Sequence, residues 1–257
     1  MIKLAVVIIT FNEEKNIARC LESVKDIADE IVVVDSFSTD KTREICRQYD
    51  VRFFENHFAG YIEQKNYADS LASYDHILSL DADEALSEEL KQSVRKAKEN
   101  WQFDAWSMNR LTNYCGTWIK HSGWYPDRKI RLFDRRKASW AGKRIHERLK
   151  LEQDAKTAFL SGDLLHYSFY SIEQHSMQIN KFSSIKAEVM FEEGKHSNMC
   201  KIICHPFFTF FQGYFFKLGF LDGLHGYLIC KNSAYSTFLK YSKLYKLQQN
   251  AKNKANG

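Results

Sequence analysis

The sequence predicts an α/β fold: a doubly wound, mostly parallel sheet followed by a helical, aromatic C-terminal extension. Three observations predict it. Over the first hundred residues, short runs rich in Val and Ile alternate four times with segments of helical spacing, the pattern of βα units feeding a parallel sheet. Three of these runs end in polar and acidic residues, at the strand ends where open α/β sheets bind ligands. After residue 171 the texture becomes helical, aromatic and basic.

Each element has its own signal. Residues 3–10 are apolar enough for a strand buried on both faces. Ile17, Cys20, Leu21 and Val24 then recur at i, i+3, i+4 and i+7, one face of a helix. Residues 30–35 form a second buried strand. Ser38, Thr39 and Asp40 offer N-caps to a helix whose apolar face is Ile45, Cys46 and Tyr49. A strand at 51–54, a helix over 61–72, a strand at 76–80 and a helix from Ser87, with Leu90, Val94 and Ala97 inward, complete the alternation. From 105 to 148 the chain is rich in Trp, Tyr, Arg and short β-like runs such as 129–133, an antiparallel extension or a set of acceptor-site loops. Residues 160–170 read as a last strand and turn, and 172–193 as a helix.

The chain has 257 residues, 27% charged and 44% hydrophobic, with two prolines. That is ordinary globular composition with room for a sizeable core and little room for disordered linkers. The net charge is only +5, but no acidic residue follows Asp222 while lysines continue. Such a tail suits an anionic surface, membrane headgroups or nucleic acid, or else a solvated terminus. Residues 206–216 carry no charge and seven aromatics. The run is too short to span a bilayer; it fits an interfacial helix or a hairpin packed on the domain or in a homodimer. Six scattered cysteines show no zinc-site spacing and read as free thiols. With no signal peptide at Leu4–Ile9, the expected location is cytoplasmic, peripheral on the inner face of the membrane.

Chemistry is expected where carboxylates meet strand ends. Asp81-Ala82-Asp83 follows the fourth strand directly. Two carboxylates so placed repel each other unless a cation or donor groups relieve them. A hard ion, Mg²⁺ or Mn²⁺, takes oxygen ligands and keeps substrate phosphates in its shell. Asp35 ends a strand of the same sheet and could accept hydrogen bonds from a ribose or a base; capping the next helix is the plainer alternative. An Asp-x-Asp phosphohydrolase is disfavoured because its motif belongs near the first strand. A nucleotidyltransferase would want a glycine-rich basic loop where Thr10-Phe11-Asn12-Glu13-Glu14 is acidic.

The segments Val7-Ile8-Ile9-Thr10-Phe11-Asn12-Glu13-Glu14, Val33-Val34-Asp35-Ser36-x-Ser38-Thr39-Asp40, Gln64-Lys65-Asn66-Tyr67-Ala68 and Leu80-Asp81-Ala82-Asp83-Glu84 together resemble family-two glycosyltransferases of the GT-A fold. The resemblance extends through Arg131-Leu132-Phe133, Trp140-x-Gly142 and His146-Glu147, and is strongest to the lipopolysaccharide-core β-glucosyltransferase group. It implies a transferase domain over 1–170, with acceptor-side loops at 105–150, and a helical extension over 171–257 that is membrane-associated or dimer-forming. It implies that Thr10 and Asn12 or Glu13 line the nucleotide pocket, Asp35 contacts the uridine, Lys65 steadies the base or diphosphate, and Asp81 contacts the ribose. Asp83 would ligate the metal, with His166 as a late metal or diphosphate ligand. Glu147 falls where inverting members keep a catalytic carboxylate. Two departures stand out: Ser36 replaces a second Asp, and Phe37 replaces a glycine, so the turn there cannot use glycine's free φ.

Inverting transfer needs a base near the acceptor hydroxyl. Glu147 is the expected base and His146 the alternative, against a plain salt bridge of Glu147 to Arg144 or Arg148. Arg128, Lys129 and Arg131 could grip the diphosphate or a phosphorylated acceptor, or form a solvated strand face. Trp118, Trp124 and Trp140 could stack on sugars or fill the core. The expected function is metal-dependent, inverting transfer from a nucleotide-sugar, UDP-hexose, to a glycan or glycolipid, with no nucleic acid beyond the donor nucleotide. The alternatives are a non-catalytic membrane-tethered scaffold and a nucleotidyltransferase.

Overall fold

The structure is a computed structural model; it describes residues 1–143 and 146–255, and the side chains at 143, 146, 254 and 255 lie outside that description. The chain divides into two compact units, residues 1–111 with 126–167, and residues 112–125 with 168–257.

The first unit opens with the expected alternation: β1 (Leu4–Thr10), α1 (Ile17–Val24), β2 (Glu30–Asp35), α2 (Thr42–Cys46), β3 (Arg52–Glu55), α3 (Tyr61–Leu71) and β4 (His76–Asp81). β1 lies between β2 and β4, and β2 pairs with β3, all parallel. Successive β1 residues point to opposite faces. Leu4, Val6 and Ile8 pack with Ile17, Leu21 and Val24 of α1 and with Leu90 and Val94 of α4 (Glu88–Glu99). Ala5 and Val7 pack with Val32, Val34, Ala68 of α3, Phe133 and Trp140. The sheet is therefore covered on both faces, each fully buried Leu or Ile contributing roughly 1.5–3 kcal/mol. Ser87 caps α4 by accepting a hydrogen bond from Leu90 N–H at 3.2 Å.

The stretch from 105 onward is antiparallel where it joins the sheet. β8 (Asp127–Asp134) runs antiparallel to β4 and to β6 (Ala105–Tyr114), and β11 (Thr157–Phe169) pairs antiparallel with β5 (Glu84–Leu86). The strand order is β3-β2-β1-β4-β8-β6-β11-β5. β9 (Ala138–Lys143) and β10 (His146–Leu151) form a separate antiparallel hairpin. The sequence does not announce β5, because three residues are too few to show a period.

In the second unit the end of β6 pairs with β7 (Thr117–Ile119), and Tyr114, Ile119, Phe169 and Ile229 form its core. Its helices are α5 (Ile172–Glu192), α6 (Met199–Phe211) and α7 (Gly223–Ala255). A π-helical turn, Gln212–Phe216, and a 3₁₀ turn, Gly219–Asp222, link α6 to α7. The apolar run 206–216 thus passes from α6 directly into the π turn. Among the described residues, no helix is long and apolar enough to cross a membrane.

Candidate active site

The site is built on the carboxyl ends of β1, β2 and β4. Thr10 and Asp35 are paired in register there. Both Asp35 carboxylate oxygens accept from Ser38, from its amide at 2.7 Å and its hydroxyl at 2.5 Å. Asn12 Oδ1 accepts from Thr39 N–H at 2.8 Å, and Ser38 Oγ accepts from Asn12 N–H at 2.7 Å. Ser38 and Thr39 therefore stitch the first two rim loops together. Lys41 is the N-cap of α2 and gives no side-chain cap; Asp40, just before it, accepts from Thr42 N–H at 3.0 Å. Asn12 and Phe37 both adopt left-handed backbone, φ 54° and 62°. Asn tolerates that region, whereas a bulky residue is strained there. Phe37 is held in place by stacking on His57 at 4.3 Å.

Asp81 ends β4 between two cations. Lys65 Nζ lies 2.7 Å from Oδ1, and Arg131 Nη2 lies 2.8 Å from Oδ2. Burial pushes the Asp81 carboxyl up, but the Lys65 and Arg131 charges outweigh it and hold the group well below the usual range. Glu84, fully buried, takes Arg131 Nη2 at 2.8 Å on Oε1, while its Oε2 accepts from Asp81 N–H at 3.1 Å. Arg110 stands 3.5 Å from Glu84 and 2.8 Å from Asp127. Burial lowers the Arg131 guanidinium, but Glu84, Asp81 and then Glu147 more than reverse that. Trp140 lies against both cations, its ring 4.6 Å from Lys65 Nζ and 5.7 Å from the Arg131 guanidinium carbon. Its indole N–H donates to Asp69 Oδ2 at 3.0 Å, and Asn66 bonds its backbone from both sides.

Asp83 is placed differently. Its Oδ2 faces His166 Nε2 at 3.2 Å, and its carbonyl accepts from Tyr167 N–H at 2.9 Å. The pairing of β5 with β11 sets this geometry, with Glu84 opposite His166. Glu13 is close by. Loss of hydration raises its carboxyl to about 7; the Asn16 hydrogen bond opposes this, and Asp83 and Asp40 add to it. The Tyr61 phenol is raised by desolvation and then by the charges of Asp81, Glu147, Asp83 and Glu13. Four carboxylates from three segments therefore act on one hydroxyl. Glu147 is half-buried on β10, opposite Gly142; the side chain of His146 lies outside the described residues.

The glycosyl transferase family 2 profile matches residues 5–175. The chain belongs to that family. An uncharacterized glycosyltransferase of Rickettsia typhi is 31% identical over 263 residues, covering 98% of this chain and 90% of the relative. The lipopolysaccharide core biosynthesis glycosyltransferase LpsC of Rhizobium meliloti is 29% identical over 249 residues, covering 94% and 92%. Among solved structures, Staphylococcus aureus TarS 1–349 aligns with a TM-score of 0.45 at 15% identity, covering 93% of this chain and 90% of that one.

Every site residue expected from the sequence falls inside the family-two span. The structure joins Lys65, Asp81 and Arg131 in ion pairs and sets Asp83 against His166, and the charges of Glu13 and Glu147 reach the Tyr61 phenol beside them. Thr10, Asn12 and Asp35 line the adjoining rim. Lys65, Arg131 and Trp140 are buried against Asp81, Glu84 and Asp69. Arg128 stays exposed, its guanidinium over Phe159 at 5.1 Å. Sequence reasoning gave Glu84 no role of its own and missed Arg110 and Asp69. Asp69 had a signal, since it lies four residues after Lys65 on one helix face; Glu84 and Arg110 meet only through strand pairing.

The donor set suits a hard divalent ion that completes its shell with phosphates and water. Asp83 offers an oxygen and His166 an imidazole nitrogen. Among the described residues no group of three or more His, Cys, Asp or Glu side chains is arranged to hold an ion, so substrate oxygens would have to supply the rest.

Proposed function

We propose that this family-two glycosyltransferase moves a hexose from a UDP-sugar, with inversion, to a hydroxyl of a glycan or glycolipid in cell-envelope synthesis. The observation that carries the reading is the split between the two aspartates. Asp81 is neutralised by Lys65 and Arg131, while Asp83, beside His166, has no Lys or Arg within ion-pair distance among the described residues. A negative oxygen and an imidazole at a strand end suit a metal–diphosphate pair. Asp83 and His166 would hold Mg²⁺ or Mn²⁺, which supplies charge neutralisation as the diphosphate leaves.

The chain's own groups do the rest. The rim of Thr10, Asn12 and Asp35 receives the nucleoside, its loops preorganised by the Ser38 and Thr39 bonds. Glu147 takes the proton of the attacking hydroxyl. Arg131 fixes the second oxygen of Asp81, and Trp140 packs on the Lys65 side of the Lys65–Asp81 pair. The kinship with LpsC, named for lipopolysaccharide core biosynthesis, supports an envelope acceptor. The test is release of UDP from a panel of UDP-sugars with glycan and lipid acceptors, with and without chelator. Acceptor-dependent, chelator-sensitive release supports the reading. Saturable UDP binding with no release on any acceptor favours the non-catalytic scaffold.

A further inference from the structure

We propose that the exposed aromatic face of the second unit docks on an anionic lipid surface. The face is contiguous. Phe207, Phe211 and Phe215 stack in an i, i+4 row, with ring centroids 4.6 and 5.0 Å apart. Tyr214 joins that row to Phe220 across the 3₁₀ turn at 6.2 Å. Burial does not explain these rings: Phe207 is 58% exposed, Phe215 48% and Phe220 44%, and Phe208, which meets Phe207 at 6.0 Å, is 66% exposed. Apolar surface of this extent, left open on a folded chain, marks a contact site.

Charge selects the occupant. From residue 194 to the end there are nine lysines and one acidic residue, Asp222. Asp222 is turned inward, its carboxylate accepting from the backbone amides of Lys120 and His121 and meeting the His121 ring at 2.9 Å. The other acids of these helices lie on α5. The chain that carries the aromatic face is thus almost entirely of one sign, with Lys217 exposed directly after Phe216. Phe and Leu side chains sink to the headgroup boundary while lysines meet lipid phosphates. A second copy would gain no charge pairing from residues 194 onward, whose one acid, Asp222, is already engaged by His121. Nucleic acid would leave Leu221 and Leu224 without a role.

Three features make the face testable. It is exposed, so polar substitutions there spare the core. Its binding has an apolar and an electrostatic part, which separate by salt. It lies outside the residues proposed for transfer. The full chain is floated with vesicles of phosphatidylcholine alone or mixed with phosphatidylglycerol. The expected result is about tenfold stronger partition onto the anionic vesicles, the effect of one or two lysines at roughly 1 kcal/mol each, falling as salt rises. Phe208→Ser with Phe216→Ser is expected to abolish it with an unchanged thermal unfolding midpoint, and Lys217→Glu to weaken it. Turnover of a UDP-sugar with a soluble acceptor stays at wild type in all variants, so docking and transfer fail separately. Partition that ignores phosphatidylglycerol, or that survives the double Phe variant, overturns the proposal. So does a dimer in solution that the Phe variant dissolves while vesicles go unbound, or oligonucleotide binding in their place.

Discussion

Lys65 Nζ stands 2.7 Å from Asp81 Oδ1, with 1% of the lysine side chain exposed. The lysine's charge is therefore matched inside the protein. Removing it leaves the half-buried Asp81 with Arg131 alone, a change that should cost about 1–3 kcal/mol, less than the roughly 3–5 kcal/mol of a broken fully buried pair. Lys65→Met is expected to lower stability by that order in urea unfolding. The sign with pH follows from the depressed Asp81 carboxyl. Its stabilisation is present above the unfolded carboxylate range and is lost as pH falls toward the lower folded value. The variant should therefore lose most at neutral pH and converge on wild type in acid.

Asp83 is expected to govern the metal. In the wild type, Mn²⁺ should tighten UDP binding measured by calorimetry. In Asp83→Ala that enhancement should vanish and turnover should fall about 10²–10³-fold, the scale of losing one electrostatic stabiliser of the leaving group. Wild-type metal dependence in Asp83→Ala would sink the assignment.

Glu147→Gln keeps the shape and removes the base. UDP-sugar affinity should stay near wild type while transfer drops about 10²–10⁴-fold, the usual contribution of a general base. Loss confined to KM would move the residue from proton transfer to acceptor positioning.

The four βα units were legible because their burial is periodic: Ile17, Cys20, Leu21 and Val24 are all fully buried, as their spacing predicts. The rim was legible for the same reason, since strand ends locate Thr10, Asp35 and Asp81. What lay hidden was pairing at long range. Arg131 reaches Asp81 across 50 residues, and only the antiparallel return of β8 brings it there. β5 carries no period, so the ladder that sets Glu84 opposite His166 could not be read. Phe37 shows the opposite limit: the missing glycine foretold a different turn, yet the backbone still takes φ 62° with a phenylalanine in it.

Asp69 gives a pH signature separate from catalysis. Burial raises its carboxyl to about 7, against the lowering by Trp140, Lys65 and Arg135. A raised carboxyl favours folding below the unfolded value and loses that advantage as pH rises to the folded one. Wild-type stability should therefore decline between about pH 4 and 7 relative to Asp69→Asn, by at most about 4 kcal/mol at 1.36 kcal/mol per unit. Urea midpoints of both proteins across that range check it; parallel curves would show that Asp69 stays ionised.

The three-rung ladder between β5 and β11 sets a limit on how long the site endures heat. Asp83 and His166 are aligned by a short stretch of backbone bonding, whereas β1 is paired over six residues on each side. Short ladders open first when a protein breathes. Warming should accordingly uncouple the aspartate from the histidine while the parallel strands still hold, and under the proposed metal role of that pair transfer would cease before the chain unfolds.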